Sequence, residues 1–185
     1  MSGLRVIAGT AKGKRLKSRK AKDLRPATGF VREALFNILG PSVVDCVFLD
    51  LFAGTGSIGI EALSRGAAKV VFVEVDAQNV SLIKENLKIT GFKEKGVVYQ
   101  GDVFKILPLL KKHGWQFDLV FVDPPFRQRL AEPVLEAIFQ LGLLAPGGIA
   151  ITRTASREKS DFKFQPFREE RYGNSVLRFF ARDKD

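Results

Sequence analysis

The sequence predicts an α/β protein: a mostly parallel sheet with helices on both faces, closed by an antiparallel hairpin. Three observations predict it. Apolar runs too continuous for a one-sided sheet, such as "KVVFVEV" and "FDLVFV", alternate with segments of helical period. A glycine-rich turn, "FAGTGSIG", joins the first such run to the segment after it. Near the end, "FQPFREERYGNSVLRFFAR" breaks the alternation and reads as two strands about a tight turn. The 185 residues, 45% of them hydrophobic, suit one domain with a real core.

In chain order, "LRVIA" and "KRLKS" read as the two short strands of a small N-terminal β-hairpin extension. "TGFVREALFNIL" reads as a helix, with Thr28 as N-cap and Gly40-Pro41 as its stop. Strand-helix pairs follow: "CVFLDL" with "SIGIEALSRG", "KVVFVEV" with "AQNVSLIKENLKITG", "GVVYQGD" with "VFKILPLLKK", and "FDLVFVD" with "LAEPVLEAIFQLG". Pro108 makes the third of these helices uncertain, whereas Pro133 lies in the first turn of the fourth, where proline is tolerated. "GGIAITRT" is one more strand before the hairpin.

Charge is uneven. The chain carries +10 overall, and its first 25 residues hold nine Lys/Arg against one acid, Asp23. The expected division is therefore a basic arm or hairpin over 1–25 and the main domain over 26–185. Clustered basic charge attracts a polyanion such as nucleic acid through counterion release; a merely solvated tail is the plainer reading. One cysteine, Cys46, allows no intrachain disulfide, and one histidine, His113, leaves no metal-ligand cluster, so no metal is expected. The start lacks an apolar signal segment and no run is long enough to span a bilayer, so a cytoplasmic protein with no membrane partner is expected.

"LDLFAGTGSIGIEAL" places Gly54, Gly56 and Gly59 at a strand-to-helix turn, where glycines let a ligand approach the backbone. The pattern fits a dinucleotide or any adenosine ligand. Three acids decide between them: Asp50, Glu74 and Asp102 close three successive strands, and all three should line one rim. A negative rim suits a ligand bearing an ammonium and a sulfonium, S-adenosyl-L-methionine, better than a pyrophosphate. Glu74 is expected on the ribose hydroxyls, Asp102 at the adenine amino group and Asp50 near the methionine end. The full cofactor set expected is Asp50, Phe52, Gly54, Thr55, Gly56, Glu74, Val75, Asp102 and Val103.

"FVDPPF" ends a strand on a rigid acidic corner. An exocyclic amino group on a nucleobase is a poor nucleophile because its lone pair is delocalised. The Asp123 carboxylate and Pro124 carbonyl can accept its two N–H bonds, Pro125 stiffens the turn, and Phe126 offers a stacking face. These four are the expected catalytic residues.

Here the chain resembles the class I S-adenosylmethionine-dependent methyltransferases, and more closely the bacterial 16S rRNA (guanine-N2)-methyltransferase family of the RsmD type. "LDLFAGTGSIGIEALSRGA", "VEVD" and "FVDPPF" carry the wider resemblance; "RVIAGTAKGKRL" and "LRPATGFVREALFNIL" carry the narrower one. The resemblance implies a Rossmann-like class I methyltransferase fold of seven strands, one of them reversed in the C-terminal hairpin. It implies a small-subunit rRNA substrate, naked or in an assembled particle. It also implies an arm that helps hold RNA, with Arg5, Lys12, Lys14, Arg15, Lys17, Arg25 and Arg32 as the expected contacts; for Arg32 a helix salt bridge is the alternative. Ala27, Thr28, Gly29 and Phe30 depart from the family pattern of two hydroxyls, an acid or serine, and a base, which bears on the target nucleotide. Phe126 stands where many relatives carry tyrosine.

Three rivals compete. A nicotinamide-dependent oxidoreductase explains the glycine turn but leaves the Asp-Pro-Pro-Phe corner and the arm without a task. A non-catalytic rRNA-binding assembly factor would not need that corner. An adenine-N6 methyltransferase shares the corner but usually needs added target-recognition sequence.

Overall fold

The computed structural model describes residues 3–19, 28–126, 128–158 and 162–181. Among these residues, five α-helices and seven strands follow the expected order. They are α1 (Gly29–Leu39), β1 (Val47–Leu51), α2 (Ser57–Ser64), β2 (Lys69–Glu74), α3 (Ala77–Thr90), β3 (Gly96–Gln100) and α4 (Val103–Lys112), then β4 (Phe117–Val122), α5 (Ala131–Gln140), β5 (Leu144–Ala155), β6 (Arg168–Tyr172) and β7 (Ser175–Ala181). One sheet contains all seven strands in the order β3-β2-β1-β4-β5-β7-β6. Strands β1 to β5 are mutually parallel, and β7 alone runs against its neighbours β5 and β6.

Strict alternation along the strands splits the core in two. Phe48, Val70, Phe72, Leu119, Phe121 and Ile151 face α1, α2 and α3. Leu49, Leu51, Val71, Val73, Val120 and Val122 face α4 and α5. Side chains such as Phe48, Phe72 and Phe121 are sealed from solvent, each worth about 1.5–3 kcal/mol of transfer free energy. This double burial is why the strands read as unbroken apolar runs.

Local chemistry sets the helix ends. The Thr28 hydroxyl accepts from the Val31 amide at 3.3 Å, and Gly40 ends α1 at φ 50° before a 3₁₀ turn over Gly40–Val43. Helix α4 continues through Pro108, whose ring removes only the bond that would reach the Phe104 carbonyl in the exposed first turn. Strand β5 begins earlier than expected, at Leu144, and takes up the Ala145–Gly148 stretch as an irregularity against β4.

The N-terminal segment differs from two regular strands. A single antiparallel bridge joins Arg5 to Arg15, flanked by Val6 N–H to Lys14 O at 3.0 Å and Leu16 N–H to Leu4 O at 2.8 Å. Nor is it a solvated tail: Val6, Ala11 and Leu16 are buried in the core beneath α1 and α2. The expected boundary at residue 25 falls outside the described residues.

Candidate active site

The chain runs β1 to β3 toward one sheet edge, then restarts at β4 on the other side of β1. The crevice at that switch point, above the carboxyl ends of the parallel strands, is where such sheets bind ligands. Because Leu51 is in register with Val122, Phe52 and Asp123 leave the sheet side by side. The glycine turn and the acidic corner therefore stand side by side at the carboxyl ends of β1 and β4.

Within the glycine turn, Ala53 N–H is held by Val73 O at 3.0 Å and Gly56 N–H by Ala53 O at 2.8 Å. Gly54 has φ 57°, and a Cβ there would meet nothing within 4 Å, so its missing side chain leaves the backbone open to a ligand. Gly59 serves packing instead: a Cβ there would come within 2.3 Å of the Phe72 ring. Phe52 has φ 60°, a left-handed conformation costly for a bulky residue, so this turn is strained. Thr55 is held through its carbonyl, which accepts from Asn86 Nδ2 at 3.0 Å.

Asp50, Glu74 and Asp123 each stand two residues beyond Phe48, Phe72 and Phe121, so all three lie on the same α1–α3 side of the rim. Glu74 is nearly buried; its Oε2 accepts from Gly54 N–H at 2.7 Å and its Oε1 from Asp76 N–H at 2.9 Å. Two lone-pair positions remain for hydroxyl donors. Asp50 is buried and accepts from Gly59 N–H at 3.0 Å. Burial pushes its carboxyl well above the usual range, that amide opposes the shift, and the charges of Asp123 and Glu74 add to it. Asp102, by contrast, is exposed and caps α4 by accepting from Phe104 N–H at 2.9 Å. Beside them, Val75 is 66% exposed at the end of β2. The Val103 side chain is buried in the α4–α5 core, so only its backbone can meet a ligand.

The upward shift of Asp50 predicts a stability effect. A raised folded-state pKa means that ionised Asp50 costs stability above the unfolded carboxylate value of about 4. Asp50→Asn keeps an acceptor for Gly59. It should raise the melting temperature of the ligand-free protein near neutral pH, with the gain vanishing as pH falls toward 4. A gain independent of pH in thermal melts would contradict this assignment.

At the corner, Pro124 is buried, and the Asp123 side chain keeps 17% of its surface exposed. Burial raises the Asp123 carboxyl above its ordinary value, with Arg153 opposing the shift. Arg153 Nε donates to Asp123 Oδ1 at 2.8 Å, and its guanidinium carbon lies 5.0 Å from the centre of the Phe126 ring.

The basic residues divide. Arg5, Lys12, Lys14, Arg15 and Lys17 are exposed, although Lys14 reaches the Thr90 carbonyl at 3.3 Å and Lys17 pairs with Glu85. Arg25 lies outside the described residues. Arg32 corrects its RNA-contact expectation: it is 2% exposed, its Nη2 donates to Arg5 O at 2.5 Å, and its Nε is 3.8 Å from Glu61. A guanidinium held there fastens the N-terminal segment and offers no face to RNA.

Three working residues escaped the sequence reading. Glu61, sealed in α2, accepts from Ile7 N–H at 2.8 Å, Ala8 N–H at 3.0 Å and Arg65 Nε at 2.9 Å. Its signal was a lone acid in a helix of small and apolar residues. Buried Asn86 on α3 accepts from Lys17 N–H at 2.7 Å and donates to the carbonyls of Lys17 and Thr55, both at 3.0 Å, tying the arm to the glycine turn. Arg153 is the third; a charge at the end of a buried strand requires a partner.

Comparisons with known proteins bear on the family and the fold. Residues 4–181 match the family described as conserved hypothetical protein 95. The ribosomal RNA small subunit methyltransferase D of Haemophilus influenzae is 37% identical over 154 residues, covering 82% of this chain and 78% of that protein. A solved hypothetical protein from Thermus thermophilus superposes with a TM-score of 0.83 at 31% identity, covering 95% of this chain and 98% of the other. An RNA methyltransferase of Salinibacter ruber, solved with S-adenosyl-L-homocysteine, shares the fold at a TM-score of 0.69 and 19% identity, covering 85% and 93%. The chain belongs to the conserved hypothetical protein 95 family, that of small subunit methyltransferase D.

Proposed function

We propose that this protein transfers a methyl group from S-adenosyl-L-methionine to the exocyclic N2 amino group of a guanine in small-subunit (16S) ribosomal RNA. The observation that carries the reading is the Asp123 corner standing beside the open glycine turn at the sheet's switch point. The donor set fits the cofactor: an uncrowded Gly54 backbone, a Glu74 carboxylate with lone pairs to spare, an exposed apolar Val75 and a buried acid, Asp50, toward the cationic end. S-adenosyl-L-methionine, when bound, supplies an electrophilic methyl on a sulfonium.

The chain's own residues do the rest. Glu74 takes the ribose hydroxyls, and Asp102 with the Val103 backbone meets the adenine edge. Asp123 and the Pro124 carbonyl accept the two N–H bonds of the target amine, holding its nitrogen in line with the methyl. Phe126 stacks on the base. As the new N–C bond forms and the C–S bond breaks, the amine's surplus proton passes to the Asp123 carboxylate, whose burial favours accepting it. The exposed cations of the N-terminal segment hold the RNA backbone, in a cytoplasmic setting where the assembled subunit or its naked RNA is the partner.

The direct test incubates the protein with labelled S-adenosyl-L-methionine and small subunits from a strain lacking the enzyme. N2-methylguanosine should appear on nucleoside mass spectrometry. Unlabelled RNA, or label in N6-methyladenosine, would overturn the reading. For the arm, replacing Lys12, Lys14, Arg15 and Lys17 by glutamine should weaken RNA binding. The log–log salt slope should fall by about 0.7–0.9 for every phosphate the variant no longer neutralises. A slope unchanged from wild type would remove the arm from the RNA site.

A further inference from the structure

The subsite assigned to the target base is held by the protein itself. Arg153, in strand β5, is neighbour to Asp123 because Phe121 pairs with Ile151 and Val122 with Thr152 in the register. Its Nε–H points at Asp123 Oδ1 from 2.8 Å, and its guanidinium lies over Phe126 at 5.0 Å. One side chain thus makes both contacts that methyl transfer assigns to the base: donation to the carboxylate and stacking on the ring. Arg153 is itself buried, and a base that takes the Asp123 Oδ1 acceptor and the same face of Phe126 must displace it.

The chemistry of the occupant is informative. A guanidinium is a planar carbon bearing three nitrogens, with N–H donors on adjacent nitrogens along one edge. The N1–H, C2 and N2 amino edge of guanine presents the same pair of donors on a neutral, ring-embedded guanidine. Adenine offers an amino donor beside a ring acceptor, N1, which would face the carboxylate unfavourably. A carboxylate and ring spaced for a guanidinium are therefore spaced for guanine.

We propose that Arg153 is a stand-in for the target guanine, filling the Asp123–Phe126 subsite while RNA is absent and leaving it when the base arrives. This inference rests on the assignment of Asp123 and Phe126 to the target base. Arg153 neutralises a carboxylate that would otherwise be buried without a counter-charge, and keeps it ionised in the waiting enzyme. Its departure returns that carboxylate to a dry setting where it takes up the amine's proton more readily. The consequence is competition: RNA binds only the fraction of enzyme in which Arg153 has left.

The tests are steady-state kinetics on small subunits with wild type, Arg153→Met and Arg153→Lys, and a spectroscopic readout independent of turnover. If Arg153 competes with the base, Arg153→Met should lower the KM for RNA by about three- to tenfold, because the competitor is gone, with kcat within twofold. The acid limb of kcat/KM should move to higher pH, because the free enzyme has lost the cation beside Asp123. The acid limb of kcat should stay in place, because Arg153 is already gone from the complex. Arg153→Lys retains a cation without the planar fork and should fall between them. In ¹⁵N-arginine-labelled wild type saturated with S-adenosyl-L-homocysteine, the Arg153 Nε–H resonance, assigned by its loss in Arg153→Met, should shift on adding guanosine monophosphate. Adenosine monophosphate should leave it in place.

A tenfold fall in kcat with KM unchanged, or a kcat acid limb that shifts with the substitution, would make Arg153 a fixed positioning residue and overturn the proposal. So would a resonance indifferent to guanosine monophosphate. Wild type that modifies no RNA, yet whose Arg153 resonance responds to guanosine monophosphate, would instead sink the proposed reaction and leave the guanine subsite standing.

Discussion

Asp123→Ala lowers kcat by about 10³-fold while the affinity for S-adenosyl-L-methionine stays within a few-fold: this is the expected result of removing the residue proposed to hold the target amine and take its proton. The split follows from the geometry. The proposed anchors of the cofactor, Glu74 and the Gly54 backbone, lie at the ends of β1 and β2 and bond to each other at 2.7 Å without help from Asp123. Alanine also strands Arg153, so the substitution costs stability, and activity must be compared with the folded fraction. Asp123→Asn separates the two effects. It keeps the side-chain volume and one acceptor oxygen for Arg153 Nε, so it costs less stability than alanine, and still loses the proton acceptor. Calorimetry with the cofactor beside single-turnover assays reads both quantities. Equal losses of binding and turnover would move Asp123 from the target amine to the cofactor.

What could be read from the sequence follows from which forces are local. Each strand of the parallel sheet is a short apolar run bounded by Gly, Pro or an acid, and each helix repeats its apolar residues at helical spacing, so a window of about a dozen residues contains the signal. The glycine turn and Asp123 corner were legible for the same reason, since each is a contiguous stretch at a strand end. Arg153 was not, because its meaning depends on β5 lying beside β4, which brings it to a carboxylate 30 residues away. Glu61 and Asn86 were hidden likewise: their partners lie 53 to 69 residues earlier, in a basic stretch that composition alone casts as a tail. Arg32 misled for a physical reason. An arginine in an amphipathic helix beside a basic arm resembles a surface cation, and only the fold reveals the buried acid that holds it.

Removing that acid has the second large effect. Glu61→Ala should destabilise the protein by about 3–5 kcal/mol, the cost of breaking a buried ion pair by deleting one partner, against a total stability of about 5–15 kcal/mol for a domain. Glu61 is fully buried, and its two oxygens accept from the amides of Ile7 and Ala8 while facing Arg65 and Arg32. Without it two amides lose their acceptor, and Arg32, whose proton affinity burial already lowers, becomes a buried cation. Its Nε and Nη1 have no hydrogen-bond partner even with Glu61 present. The loss should appear as a lower urea midpoint with faster proteolysis around residues 9–13, and RNA binding should lose part of its salt dependence as the arm comes loose. If the cost comes from the stranded cation, then Glu61→Leu combined with Arg32→Met should be less destabilised than Glu61→Leu alone, because it removes both charges. Additive losses in the double variant would instead assign the cost to the amides of Ile7 and Ala8, and a shift below about 1 kcal/mol for Glu61→Ala, the scale of an exposed ion pair, would mean that the apolar packing of Val6, Ala11 and Leu16 and the Asn86 hydrogen bonds suffice to fasten the arm.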